Sequence, residues 1–382
     1  MNGRRVLSLL VIIIIMASAQ GCNKISIIQV DNESELFGNQ DTTHRIGVPI
    51  LIENDHVHNY INDVHYSSFS YSKITEYAIE CGYRMDYPSG YIFNPFSYVN
   101  GKECCVVSAK NIDNPKDSYI KRVNTRGELC ISNLTPNCDY LVEVYDSDDN
   151  LLIHRDTISA YGQVRMLFSG NAWNLRDIGG LHCHDGRTIK YGKIFRGGAY
   201  PNVTDDDISL VRDLLCIKTE IDLRSREELL LDDADKTNNR DYSVFGDYVD
   251  YYHCPLPLSY YLFESDTFAR IFMVTLESLR NNGSVFIHCA GGADRTGAVF
   301  MLFEAVLCVL DSDIAKDYEL TSFAPLYYDK DNYRYCNRCQ DVFSVFAAGE
   351  KGITNQIIAQ NFLKRLGVTE IDINEFKNIV KL

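Results

Sequence analysis

The stretch His288-Cys289-Ala290-Gly291-Gly292-Ala293-Asp294-Arg295-Thr296-Gly297 concentrates the reactive chemistry of this 382-residue chain. Five residues separate a cysteine from an arginine. The short apolar run Ser284 to His288 reads as a buried strand, and the apolar residues that follow to about Leu310 read as a helix. A tight turn between them, with glycines that admit unusual backbone angles, can aim successive N–H groups inward as an anion-binding nest. The helix directs its positive end at the same point. A cysteine held there is stabilised as the thiolate, and Arg295 offers a planar fork suited to two oxygens of a phosphoryl group. Nucleophile, amide cradle and bidentate clamp together suit attack on a phosphate monoester. The plainer alternative is a buried structural cysteine with an arginine in a chance ion pair.

The elements around this turn follow from residue 163 onward, where helices and buried strands alternate. Thr204 caps the acidic run Asp205-Asp206-Asp207, a helix start that extends to about Leu215. Lys218 to Leu223 follows as a strand. Thr267 to Asn282 carries an apolar face at Phe268, Ile271, Phe272, Thr275, Leu276 and Leu279, and Gly283 stops it. Asn355 to about Leu366 and a short helix from Thr369 form a helical tail. Strand, turn and helix in repetition predict an α/β domain, a mostly parallel sheet with flanking helices over 163–382.

The turn matches the signature H-C-x5-R-[ST] in full, and the chain thereby resembles the cysteine-dependent protein tyrosine phosphatases. Asn174-Leu175-Arg176-Asp177-Ile178-Gly179-Gly180, Gly192 to Gly198, Ile221-Asp222-Leu223-Arg224-Ser225 and Asp317 to Thr321 occur in that order around it. With them the chain is similar to the bacterial atypical tyrosine/serine phosphatases over residues 163–382. The resemblance implies that Cys289 forms a phosphocysteine and that Arg295 binds the transferring phosphoryl group. Main-chain N–H groups of Ala290, Gly291, Gly292 and Ala293 through Arg295 would complete the cradle. Thr296 would donate a hydrogen bond to the sulfur, and His288 would brace the loop. Asp177, Arg224 and Arg196 would support neighbouring loops.

A proton donor matters because phenolate and alkoxide are poor leaving groups. The familiar Trp-Pro-Asp loop is absent, and Trp173 is the only tryptophan. The resemblance makes Asp294 the acid, the other reading being an acceptor that holds the loop. Asp266 and Glu264 are further options. Some family members that act on phosphoinositides have lysine where Ala293 stands, so its absence favours singly phosphorylated substrates. The segment Pro255 to Tyr261 could wall an aromatic pocket for phosphotyrosine. No metal or organic cofactor is implied, since amides and Arg295 would carry the electrostatic work.

Residues 61–162 read differently. Alternation in Tyr77 to Cys81, Tyr140 to Tyr145 and Leu151 to His154, with turn signals at Pro88-Ser89-Gly90, Asn114-Pro115, Thr135-Pro136-Asn137 and Asp148-Asp149-Asn150, predicts a small β-sandwich. Ile131 to Tyr140 is similar to the tyrosine corner of fibronectin type III modules. A protein or glycan contact would fall to this domain. Residues 22–60 read as a tether with a first edge strand.

Residues 1–21 begin with Arg4 and Arg5, continue through the apolar run Val6 to Ala19 and end just before Cys22. This resembles a bacterial lipoprotein signal, in which Cys22 takes the lipid and anchors an exported protein in the cell envelope. An uncleaved anchor or an ordinary secretory signal are the alternatives. Cleavage would take the net charge from −15 to −17, because Arg4 and Arg5 are the only charges removed. Such a surface repels phosphate backbones and argues against nucleic acid as a partner. Of the thirteen cysteines, Cys336 and Cys339 form a CxxC without a second pair at zinc spacing, which leaves a disulfide or two free thiols. The expected partners are a phosphorylated protein or small phosphomonoester and, through Cys22, the membrane. Two other classes compete: an oxyanion-binding lipoprotein without turnover, and a sulfurtransferase.

Overall fold

The computed structural model describes residues 47–382 apart from 67–68, 82–88, 100–102, 125–126, 149, 170, 201, 233–240, 260–265 and 325–332. The signal segment, Cys22, most of the tether, Tyr260, Tyr261 and Glu264 lie outside these residues. Among the described residues, no helix is long and apolar enough to cross a membrane.

The first part is built from β1 (Val48–Leu51), helices α1 (Asp55–Ile61) and α2 (Ile74–Cys81), and strands β2 (Tyr91–Phe93), β3 (Cys105–Asn111), β4 (Ser118–Val123), β5 (Leu129–Ile131), β6 (Cys138–Asp146) and β7 (Leu152–Tyr161). Five strands form a sheet in the order β1-β7-β6-β3-β4, antiparallel except for β1 against β7. The antiparallel pair β2-β5 supplies Tyr91, Phe93 and Leu129 against Val107, Val142, Val144 and Ile158 of the larger sheet. The result is a small sandwich around its own core.

The strand expected at Tyr77 to Cys81 is instead the end of helix α2. Ile74, Tyr77 and Ala78 recur at helical spacing and pack, with Val57, Tyr60 and Ile61 of α1, into the core of the following domain. A five-residue window shows alternation and helical period alike, and burial against that core selects the helix.

The second part contains β8 (Arg165–Met166), β9 (Arg176–Asp177), β10 (Ile194–Gly198), α3 (Asp205–Ser209), β11 (Ile217–Asp222), α4 (Arg226–Asp232), β12 (Asp250–His253), α5 (Thr267–Arg280), β13 (Ser284–Cys289), α6 (Asp294–Val306), α7 (Asp311–Glu319), α8 (Asn337–Ala347), α9 (Asn355–Arg365) and α10 (Glu370–Val380). Its six-stranded sheet runs β12-β11-β13-β10-β9-β8, with β12, β11, β13 and β10 parallel and β9 and β8 antiparallel at one end. Alternation along β13 separates the two faces. Val285, Ile287 and Cys289 join the core that holds α5 and α6, while Phe286 packs on the other face with Phe195, Tyr200 and Phe245. The apolar face expected on α5 is buried at all six positions, and Thr204 closes a capping box with Asp207.

The sandwich joins this domain through polar bonds. Arg165 of β8 donates to the Asn133 carbonyl at 2.9 Å and lies 3.6 Å from Asp117 and 3.5 Å from Asp177. Asn133 pairs its side chain with both main-chain groups of Phe168, as a strand residue would. Within the sandwich Tyr140 is buried, donates to Asp117 at 2.5 Å and accepts from the Thr135 N–H at 2.8 Å.

Candidate active site

Cys289 ends β13 and Arg295 lies in the first turn of α6, a helix buried at every position after Asp294. Three carbonyls of the intervening turn are held from outside. The Ala290 carbonyl accepts from the Ala199 N–H at 3.0 Å. The Gly292 carbonyl accepts from Asn174 Nδ2 at 3.0 Å and Arg196 Nη2 at 3.1 Å, and Gly291 lies 3.5 Å from the same Asn174 nitrogen. In a trans peptide the N–H of the next residue points opposite to the carbonyl. Anchoring these oxygens therefore turns the N–H groups of Gly291, Gly292 and Ala293 toward the inside of the turn. Gly292 makes the geometry possible at a φ of 67°.

The holders are themselves fixed by a buried charge network. Arg196 and Arg176 converge on Asp317, with Arg176 Nε 2.8 Å from Oδ1 and its Nη2 2.6 Å from the Asp317 carbonyl. Arg176 also bonds the Asn174 side chain, and Asn174 reaches Thr321 Oγ1 at 3.1 Å. Arg196 lies 4.8 Å over the Phe300 ring. Burial pushes Asp317 up, but the two guanidiniums outweigh it and hold the carboxyl at about 2. Glu304, fully buried beside it, is raised well above the ordinary range by burial and by Asp317.

Arg295 is buried and gripped by a residue the sequence reading did not single out. Its Nη1 and Nη2 donate to the two carboxylate oxygens of Glu228 at 2.5 and 2.6 Å, and Nη1 also reaches the Leu223 carbonyl at 3.3 Å. These bonds occupy the end of the guanidinium and one flank. The Nε–H and the second Nη2 hydrogen form the remaining edge, a pair of parallel donors matched to two oxygens of one tetrahedral anion. Burial alone would raise Glu228, yet the bonds from Arg295 and the Ser225 N–H keep its carboxyl below the ordinary value. The signal was present: Glu228 lies four residues after Arg224 in the Ile221 to Ser225 motif, at the start of a helix.

The other expected residues occupy defined places. His288 points to the face away from Cys289, with Nε2 2.9 Å from Glu220 Oε1 and its ring stacked 5.0 Å from Phe286. Glu220, Asp222 and His288 form a close buried cluster, but each has a protein partner. Glu220 accepts from Ser243 at 2.6 Å, and Asp222 is forked by Arg224. Arg224 therefore braces its own strand end. Asp177 accepts from the N–H groups of Gly179 and Gly192 at 2.9 and 2.6 Å and ties down the loop between them. The Thr296 hydroxyl is buried without a partner among the described residues, so the bond to sulfur expected of it is not made and its donor is unused.

Asp294 stands at the rim. Its carboxylate forks with Arg334 at 3.1 and 3.1 Å and accepts from Tyr318 at 3.2 Å. Asp266 is exposed at the start of α5 and makes no capping bond. A cavity of about 570 Å³ opens on the Asp294 side, and Leu258 of the Pro255 to Tyr261 segment lines it. The eleven cysteines whose side chains are described are free thiols. Cys336 and Cys339 are buried at the start of α8, and burial pushes Cys336 up to about 12, away from redox activation.

Residues 169–378 match the tyrosine phosphatase family, more than half of the chain, and the chain belongs to that family. It is a cysteine-type phosphatase. Similar solved structures include a cysteine-to-serine form of P. aeruginosa TpbA in complex with pTyr (12% identity, TM-score 0.29, 46% of this chain and 89% of that chain). Another is the core catalytic domain of the PP-IP phosphatase SIW14 from S. cerevisiae in complex with citrate (15%, 0.28, 47% and 94%). A further P. aeruginosa TpbA structure has 11% identity and a TM-score of 0.23, covering 50% of this chain and 88% of that one. No curated protein matches the chain.

Proposed function

We propose that the chain hydrolyses protein phosphotyrosine through a phosphocysteine formed on Cys289. The observation that carries the reading is the convergence at one turn of Cys289, three inward N–H groups and the open edge of Arg295. In the first step the Cys289 thiolate attacks phosphorus, the P–O bond to the leaving group breaks, and Asp294 gives that oxygen its proton. In the second, Asp294 takes a proton from water as its oxygen attacks phosphorus. The S–P bond breaks, phosphate leaves and the thiolate is restored. The amides and Arg295 stabilise the charge on the three equatorial oxygens throughout. The unused Thr296 donor is available to the departing sulfur. Export and lipid anchoring at Cys22 remain part of this proposal, and palmitate labelling lost in Cys22→Ala would support them.

The test is hydrolysis of p-nitrophenyl phosphate and of phosphotyrosine and phosphoserine peptides by the full chain under reductant. Cys289→Ser is expected to abolish turnover, and rapid acid quench of the native protein should trap one labile phosphate per chain. Turnover that survives Cys289→Ser would overturn the mechanism. A protein that binds vanadate through Arg295 but hydrolyses nothing would belong to the non-catalytic class.

A further inference from the structure

Of the residues that line the cavity beside the catalytic turn, the chemistry above uses Asp294 alone. Tyr318, Tyr333 and Tyr335 wall it, and two arginine–aspartate pairs cross it: Arg334 with Asp294, and Arg338 with Asp341 at 3.6 Å. Arg334 is set in register with the catalytic turn. Its N–H donates to Ser322 Oγ at 2.7 Å and its carbonyl accepts from the same hydroxyl at 3.2 Å. Ser322 follows Thr321, which meets Asn174, the residue that holds the Gly292 carbonyl. The guanidinium itself is reachable from solvent, with 17% of the side chain exposed, and its partner Asp294 is 56% exposed.

The charge balance decides what fits. Each arginine already faces an aspartate, so a ligand with many negative charges would meet Asp294 and Asp341 as well as a chain of net charge −15. A ligand with one carboxylate can exchange for Asp294 at Arg334 and keep the fork, while the aromatic walls cover peptide backbone and apolar side chains. We infer that this cavity is a peptide-flank subsite in which Arg334 binds an acidic side chain next to the phosphorylated residue. The exchange also detaches Asp294 from Arg334 and leaves it to the catalytic turn. Arg334 is thus a specificity and positioning residue, and this inference rests on the phosphopeptide reading above.

The experiment uses full-length Cys289→Ser protein, which needs no turnover, and fluorescence anisotropy with phosphotyrosine peptides flanked by Glu, Ala or Lys. Because the peptide carboxylate replaces Asp294 in the fork, the gain is the difference between two partly exposed pairs, and up to about fivefold tighter binding of the Glu peptide than the Ala peptide is expected. Adding Arg334→Gln should reduce that ratio below about twofold, Arg334→Lys should retain part of it, and Arg334→Glu should shift preference to the Lys peptide. Thermal melts identify any variant that is unfolded, and the Lys and Glu variants then carry the comparison. Equal binding of Glu and Ala peptides, or a preference that survives Arg334→Gln, overturns the inference. So does inositol hexakisphosphate competing at tenfold lower concentration than inorganic phosphate in an Arg334-dependent way, which would make the cavity a polyphosphate site. Native protein without turnover, whose Cys289→Ser form still discriminates flanks through Arg334, would refute the catalytic reading and leave the subsite intact.

Discussion

Gly292→Ala tests whether the catalytic turn depends on its close fit against β10. A β-carbon at this position would stand 2.5 Å from the Gly197 carbonyl oxygen and 2.7 Å from the Gly198 nitrogen, where ordinary contact begins at 3.4 Å. Both neighbours are backbone and the Gly197 carbonyl carbon lies nearer still, so turn and strand must part by about 1 Å. The bonds to the Gly292 carbonyl, now 3.0 Å from Asn174 and 3.1 Å from Arg196, then exceed hydrogen-bond range. Their loss costs about 1 kcal/mol for the neutral donor and roughly 1.5–3 for the charged one. The left-handed backbone adds about 1–2 kcal/mol for a residue with a side chain. Taken together, roughly 3–6 kcal/mol should lower the melting temperature by at least about 6 °C. A displacement near 1 Å of groups that cradle the reacting atom should lower kcat/KM about a hundredfold. Both are measured on the full chain, with p-nitrophenyl phosphate and by calorimetry. A variant that melts as the native protein does and keeps a third of its kcat/KM would refute the argument that this carbonyl anchorage sets the cradle.

Glu228→Gln leaves one acceptor and one mismatched donor opposite Arg295, and the loss of a charge-assisted bond should lower kcat/KM on p-nitrophenyl phosphate by roughly tenfold. Unchanged kinetics would mean that the Leu223 carbonyl and packing suffice to aim the arginine. Burial and the Asp317 charge raise Glu304 in the fold, while the unfolded chain releases its proton above about pH 4.3, so its contribution to stability falls as pH rises, a decline read by comparing about pH 5 with about pH 8. Glu304→Gln should flatten that decline in urea melts at the two pH values, and an unaltered slope would exclude Glu304 as its source. Tyr140→Phe removes the donor to Asp117 and the acceptor for Thr135, and should lower stability by about 1–3 kcal/mol while kcat/KM stays within twofold.

Legibility of the sequence followed the range of the interactions. The catalytic turn was readable because its parts are contiguous: strand, glycines and helix start lie within ten residues, and local rules determine where Cys289 and Arg295 point. The apolar face of α5 and the cap at Thr204 were readable for the same reason. Helix α2 was misread because its five alternating residues carried no information about the core, drawn largely from the following domain, that buries Ile74 and Ala78. Periodicity states which face is apolar only after the partner surface has chosen between two periods.

Charge pairing shows the same limit in another form. Asp317, Arg196 and Arg176 were visible as motif residues, but nothing in their spacing states that two guanidiniums share one carboxylate across 121 and 141 residues. Arg224 was expected to support a neighbouring loop, and it closes on Asp222, two residues away. Glu228, in the next helix, grips Arg295. A buried arginine takes whichever carboxylate the backbone brings within reach, because leaving either charge alone in the interior costs more than any other term at the site. Assignment of such partners therefore depends on the strand order β11-β13-β10, which places the ends of three parallel strands around one turn. That order also explains why the chemistry sits there: the carboxyl ends of parallel strands and the start of α6 converge on one place, where an anion meets inward amides, a helix end and Arg295 together.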